Sequence, residues 1–313
     1  MKKRKKIVIG SRGSKLALIQ ANWVKSQLEE SNPDIKFSIE KFKTKGDKLT
    51  DAPLSRLGGT GLFTKELENA LLDNKVDLIV HSAKDVPTEI PEGLVLGAFP
   101  KREDPHDVLI SKNNQCLKDL PQNAVIGTSS LRRRAQILAF RQDLKVVDLR
   151  GNLDTRLKKL DSGDLDAIVV ARAGLLRFSL SEKASEIIPY DIMLPAVGQG
   201  ALCIEIRDID DEVKEIISIL NHHETMCEVK TERVLLAKLQ GGCQVPIGAH
   251  TEIVFPVNLK LEAVVCSLDG TTIIRDSIEG KIDDFADIGY ELAYKLLRMG
   301  GDTILEEIRK SLA

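Results

Sequence analysis

Aromatic side chains are scarce, 4% of 313 residues with a single Trp, and the formal net charge is only −2. Nucleic-acid binders usually carry a basic excess, and single-strand binders stack bases on aromatic rings, so both absences argue against that class. Only the run Arg132-Arg133-Arg134 favours it, and on a helix its members point in different directions. The five cysteines (Cys116, Cys203, Cys227, Cys243, Cys266) are odd in number and never form C-x-x-C, which argues against a disulfide framework or a cysteine zinc site. His222-His223-Glu224 lacks the spacing that sets two ligands on one helical face, so no metal is expected. No apolar run approaches the roughly 18 residues of a membrane span. After MKKRKK only IVIG precedes Ser11 and Arg12, too short for the apolar core of a secretion signal. A cytoplasmic protein with no membrane or nucleic-acid partner is the expectation, with a monomer as the default.

Against these absences stand 42% hydrophobic and 29% charged residues, an ordinary globular balance. The length exceeds one typical core and predicts two or three domains. KIVIGSRGSKLALIQANWVKSQLEES reads as strand, loop and amphipathic helix, with Ala17, Ala21, Val24 and Leu28 at helical spacing. AVIGTSSLRRRAQILAF repeats that arrangement. ELENALLDNKVDLIVHSAKD and TRLKKLDSGDLDAIVVARAG pair a helix with a buried-type strand. Strands alternating with helices predict an α/β fold of two lobes with mainly parallel sheets, ligands gathering at the carboxyl ends of strands. The lobes are placed at 1–100 with 200–219, and at 105–195. Crossings fall near Pro100 to Pro105 and in LPAVGQGALCIEI. Residues 222–313 read as a small α+β domain with a helix from Val229 to Leu239, a loop GGCQVPIG, two strands and C-terminal helices.

Charge is uneven: Arg132 to Arg177 holds eight of the seventeen arginines and only six acidic residues, which suits a polyanionic ligand. Ser11, Arg12, Ser14, Thr128, Ser129, Ser130, Arg132 and Arg133 lie at two helix starts, where free N–H groups favour anions. Ordinary helix capping is the plain alternative. Arg150, Arg156 and Arg177 add planar forks suited to carboxylates. Asp85, with Lys84 beside it, stands at the expected carboxyl end of a strand, as a working carboxylate or as the cap of a turn before Pro87. Cys243 sits after Gly241 and Gly242, either presented on a loop or buried and inert.

In order along the chain, SRGSKLAL, TKGD, LGGTGLFTKELE, HSAKDVP, REDPHD, GTSSLRRRAQ, LRGNLDTRLKKL, AGLLR, LPAVGQGA, NHHET and LQGGCQVPIG resemble the porphobilinogen deaminase (hydroxymethylbilane synthase) family over almost the whole sequence. The resemblance implies two lobes like those of type II periplasmic binding proteins with the active site in their cleft, and a third domain carrying a cofactor cysteine. It implies a transferase of porphyrin and heme biosynthesis that joins four porphobilinogens head to tail, releasing ammonia, on a dipyrromethane cofactor held by a thioether to Cys243. By motif position Asp85 is the catalytic residue. Lys84, Thr128, Ser129, Ser130, Arg132 and Arg133 would bind cofactor, and Arg12, Ser14, Arg150, Arg156 and Arg177 substrate. The residue types fit, because each porphobilinogen brings an acetate and a propionate, and expulsion of ammonia leaves a cation that a carboxylate stabilises. Thr60 departs from the Lys common in the family's GGKGLF block. The alternative from another class is a non-catalytic two-lobe binder of a small polycarboxylate, which needs neither the third domain nor Asp85.

Overall fold

The computed structural model describes residues 4–48, 61–241, 245–254 and 257–312. In chain order the first elements are β1 (Lys6–Arg12), α1 (Lys15–Ser31), β2 (Lys36–Phe42), a short α2 (Lys45–Lys48), α3 (Lys65–Leu72), β3 (Leu78–Ser82) and β4 (Leu94–Ala98). There follow β5 (Asp107–Ser111), β6 (Val125–Gly127), α4 (Leu131–Phe140), β7 (Lys145–Val147), α5 (Leu153–Asp161), β8 (Ala167–Ala171), α6 (Arg172–Arg177) and β9 (Glu186–Ile188). Next come β10 (Leu202–Arg207), α7 (Asp211–Ser218) and α8 (His223–Lys238). The C-terminal part holds β11 (Ile247–Val254), β12 (Asn258–Cys266), β13 (Ile273–Lys281), α9 (Phe285–Leu296) and α10 (Asp302–Leu312).

The first sheet has the order β2-β1-β3-β10-β4 and the second β7-β6-β8-β5-β9. In each, four strands run one way and the fourth in order, β10 or β5, is antiparallel to both neighbours. The two lobes are thus α/β with mainly parallel strands, and β11-β12-β13 form an antiparallel sheet with helices, the α+β part. Two compact units emerge. One takes the described residues up to 48 with 61–103 and 201–226; the other takes 104–200 and those from 227 onward, so the C-terminal sheet belongs to the second unit.

Each five-stranded sheet is covered on both faces. On one face of the first, Ala21, Val24 and Leu28 of α1 meet Ile7, Ile9, Leu78, Val80 and Ile204. On the other, Leu67, Ala70 and Leu71 of α3 meet Val76 and Ile79. The helical spacing that predicts α1 is therefore its buried stripe, with Gln20 in place of Ala17. The helix expected from Val229 begins earlier, because His222 Nδ1 accepts the Thr225 N–H at 3.3 Å and caps it. β11 is absent from the sequence expectation: Gly248, Ala249, His250 and Thr251 make its alternation of weak apolar contrast, and eight paired positions against β12 make the strand.

The tip of the β12–β13 hairpin lies on α4. Gly270 has φ +71°, and a Cβ there would sit 2.5 Å from the Ala135 carbonyl oxygen and 2.6 Å from the Ala139 nitrogen. Gly163 has φ +109° with nothing within 4 Å. Gly163→Ala should therefore cost about 1 kcal/mol, for backbone strain alone. Gly270→Ala should cost at least about 2 kcal/mol, since strain and overlap add. Urea denaturation of both variants checks this; equal costs would contradict the hairpin contact.

Candidate active site

At the carboxyl end of β1, the Arg12 guanidinium bonds Asp47 through Nη2 and Nε and lies 4.2 Å over the Phe63 ring. Its Nη1 is 3.8 Å from Asp85. Asp47 is fixed in turn by the Thr44 N–H at 3.2 Å and the Thr44 hydroxyl at 2.8 Å. Burial pushes the Asp47 carboxyl up, but Arg12 and Thr44 outweigh it and hold the group below its ordinary range. Ser14 caps α1, its oxygen accepting from the Ala17 N–H at 3.3 Å. Lys84 and Asp85 share the single 3₁₀ turn Ala83–Asp85 directly after β3. That turn is pinned by the Ala83 N–H to the Ala201 carbonyl at 3.0 Å. The Asp85 side chain remains 35% exposed. Because β1 and β3 are neighbours, Arg12, Ser14, Lys84 and Asp85 share one end of the first sheet.

The second group occupies the matching end of the other sheet. Thr128 N–H donates to Val147 at 2.9 Å and the Ser129 hydroxyl to the Leu149 carbonyl at 2.9 Å, joining the loops after β6 and β7. Ser130 caps α4 and Asn152 caps α5. Arg156 donates to the Gly151 carbonyl at 2.9 Å. Burial, then the charge of Arg133, pushes its pKa down to about 10, so it stays protonated at neutral pH. Arg150 keeps Nη2 buried with no hydrogen-bond partner among the described residues. A desolvated guanidinium nitrogen without an acceptor is costly, and a carboxylate would relieve it. Arg177, at the end of α6 beyond β8, donates to the Gly200 carbonyl at 2.9 Å.

Arg132 and Arg133 differ from the open cations that the sequence suggests. Both are buried, at 5% and 6% exposure, against fully buried Asp107. Arg132 Nη1 reaches one Asp107 oxygen at 2.6 Å; Arg133 reaches the other through Nε at 2.9 Å and Nη2 at 2.7 Å. Gln199 donates to Asp107 at 3.0 Å. Arg132 also holds the Leu194 carbonyl and Arg133 the Val169 carbonyl. Burial opposes ionisation of Asp107, but the two guanidiniums win and hold its pKa far below the carboxylate range. Arg134, the third of the run, is exposed. Cys243 and Thr60 lie outside the described residues. Asp47, Phe63, Asp107 and Gln199 receive no role from sequence reasoning, although TKGD, LGGTGLFTKELE, REDPHD and LPAVGQGA mark where they stand.

Residues 7–215 match the family model "Porphobilinogen deaminase, dipyromethane cofactor binding domain", and residues 226–298 match "Porphobilinogen deaminase, C-terminal domain". The chain belongs to the porphobilinogen deaminase family. It is 51% identical over 304 residues to the porphobilinogen deaminase of Desulforamulus reducens, covering 97% of this chain and 98% of that one. Identity to the Chlorobaculum tepidum enzyme is 49%, covering 98% and 99%. Among solved structures it is similar to the alkanesulfonate-binding protein SsuA of Xanthomonas axonopodis pv. citri, with TM-score 0.40, 14% identity and 75% of each chain covered. It is also similar to the periplasmic aliphatic sulphonate binding protein SsuA of Escherichia coli, with TM-score 0.40, 16% identity and coverage of 75% and 71%.

As a porphobilinogen deaminase the chain is a transferase of tetrapyrrole and heme biosynthesis, with porphobilinogen as substrate and dipyrromethane as cofactor. A dipyrromethane made from two porphobilinogens carries four carboxylates, and the unpartnered Arg150 nitrogen fits such a polyanion. Among the described residues no helix is long and apolar enough to cross a membrane.

Replacing Asp107 with Asn should cost about 3–5 kcal/mol, since two guanidiniums would stay buried without a counter-charge. The sign of the pH effect follows from the lowered folded pKa: the stabilisation is present above 3.8, the unperturbed value, and is lost as pH falls from there toward the folded value. Denaturation midpoints of wild type and Asp107→Asn should therefore converge as the solution is acidified; a constant gap would contradict the assignment.

Proposed function

We propose that this chain binds porphobilinogen through cations that stand at strand ends and that Asp85 stabilises the positive charge that develops as ammonia leaves. The observation that carries this is the half-open Asp85 carboxylate, set at a strand end with Arg12 beside it. A simple polycarboxylate binder gains nothing from an exposed anion among the cations meant for its ligand, because like charges repel. A transferase that passes through a cation does gain from it.

The roles divide by chemistry. Arg12, Ser14, Arg150, Arg156 and Arg177 hold acetate and propionate side chains of the substrate. Lys84, Thr128, Ser129 and Ser130 hold the cofactor, and Arg132 and Arg133 serve it by seating α4, their charge half offset by Asp107. Dipyrromethane, when bound, supplies the nucleophilic α-carbon on which the chain is extended. Cys243 anchors it by a thioether and is not consumed. Asp47 keeps Arg12 from closing fully onto Asp85, so that both remain available to a ligand. Asp85 acts by its charge, fixed in place at the strand end beside Arg12. The protein is a cytoplasmic monomer without a nucleic-acid partner. The net charge of −2 and the burial of Arg132 and Arg133 argue against the nucleic-acid partner.

Asp85→Ala should lower turnover by roughly 10²–10³-fold, the usual loss for a preorganised electrostatic group, with an unchanged circular dichroism spectrum; wild-type turnover would refute the role. Mass spectrometry of the denatured wild-type protein should show an excess of two porphobilinogens less two ammonias, mapping to Cys243, and Cys243→Ser should lack it. A folded preparation with unmodified mass, which gains no adduct from porphobilinogen or hydroxymethylbilane, would return the choice to the binding protein.

A further inference from the structure

The face of the first sheet beneath α3 contains ionisable groups that none of the roles above uses. His81 on β3 and Glu205 on β10 are both buried, with Nε2 and Oε2 3.0 Å apart. Glu68 of α3 is buried over the same face. Oε1 of Glu68 and Oε1 of Glu205 have no hydrogen-bond partner among the described residues. Two carboxyl groups thus share an apolar site with one imidazole. An ionised Glu68 would add a buried anion beside Glu205 without a full counter-charge, so its protonated form is the cheaper state.

Helix α3 is mechanically joined to the Arg12 site. Its N-terminal neighbour Phe63 supplies the ring beneath the Arg12 guanidinium. The same ring packs on Gly46 and leaves no room for a Cβ there. The Gly46 N–H donates to the Leu62 carbonyl at 2.9 Å, and the Lys45 N–H to Glu66 of α3 at 3.0 Å. The turn bearing Asp47 and the ring under Arg12 are therefore tied to α3.

We infer that Glu68, Glu205 and His81 form a proton-holding cluster that seats α3, and that Glu68 in its protonated form is a positioning residue for Arg12. The inference rests on Arg12 serving the substrate. The charged groups facing Glu68 are few: His81 from β3, Glu205 from β10 and Lys65 from its own helix. On the same face, Arg207 of β10 is committed to the Leu71 and Val76 carbonyls and Asp210, and Arg12 of β1 to Asp47. Burial pushes the Glu68 carboxyl up, and the charge of Glu205 adds to it; Thr64, His81 and Lys65 oppose without prevailing. A raised folded pKa means that the folded state holds the proton more tightly. Stability from this group is present below 4.5, the unperturbed value, and is lost as pH rises through the raised value.

The test compares wild type with Glu68→Gln, a neutral isostere of the protonated acid, from about pH 5 to about pH 9. Urea midpoints of the wild type should fall relative to the variant as pH rises. Over the same range wild-type kcat/KM for porphobilinogen should fall by at least about threefold more than that of the variant, chiefly through KM. Glu205→Gln should weaken the same dependence by removing the like charge, and the double variant should add nothing to Glu68→Gln. Parallel urea profiles would overturn the cluster. Diverging urea profiles with parallel kcat/KM profiles would overturn the link to Arg12 and leave the enzyme assignment intact. Absence of turnover at every pH would instead count against the substrate reading, while the urea comparison still decides the cluster.

Discussion

A carboxylate with no solvent, gripped by two guanidiniums that have almost none, is the interaction on which the second lobe is built. Asp107 opens β5, Arg132 and Arg133 lie in the first turn of α4, and Gln199 comes from the segment before β10. Removing three charges from water is expensive, and the expense is recovered only because every oxygen of Asp107 is occupied by a charged or amide donor at close range. The geometry then has little freedom. With α4 held to β5, the loop from Thr128 to Ser130 lies where its hydroxyls cap the helix and join the loop after β7. The ends of β6 and β7 consequently present Arg150 and Arg156 from a rigid base.

The first lobe treats its carboxylates differently. Asp47 is half-buried and spent on Arg12 and Thr44; Asp85 is left a third exposed at 3.8 Å from the same guanidinium. One acid fixes the cation; the other keeps an open face to solvent. Preorganisation of this kind matters because a dipole or charge that must move into place costs free energy at the moment of the reaction. Arg150 carries a buried nitrogen without a partner among the described residues, a cost that an acceptor such as a carboxylate would remove. Each of the other cations already has its own acceptor: Asp47 for Arg12, Asp107 for Arg132 and Arg133, and the Gly151 and Gly200 carbonyls for Arg156 and Arg177.

What the sequence discloses follows from how local each feature is. The strand–loop–helix segments at β1–α1 and β6–α4 are legible because periodicity, glycine and a serine cap are all properties of neighbouring residues. The α/β class and the strand-end positions of Arg12, Asp85 and Thr128 follow from the same signals. Asp47 and Asp107 are not legible, since their partners stand 35 and 25 residues away and no spacing rule connects them. The burial of Arg132 and Arg133 is hidden for the same reason: an arginine run reads as solvated or ligand-facing until its carboxylate is found. β11 is hidden because its polar alternation gains meaning only when β12 lies beside it. The family motifs disclose the chemistry without these contacts, and Cys243 is known through its motif alone.

The reversed strand in each sheet links connectivity to chemistry. β5 is the first strand after the chain leaves the first lobe, and β10 is the first after it returns. The first lobe therefore lacks its fourth strand until residues 202–207 arrive, about 100 residues after β4 is complete. β10 is no passive filler. Ala201, just before it, holds the turn that carries Asp85, Glu205 meets His81 under α3, and Arg207 caps the carbonyl end of that helix. A contact so distant along the chain is slow to form and costs closure entropy that local pairing does not. In exchange, the turn bearing the candidate catalytic acid is set only when the returning strand is in place, so the first 98 residues alone cannot assemble that end of the sheet. The long connection makes the site a property of the whole lobe, with its last strand closing both the sheet and the turn that displays Asp85.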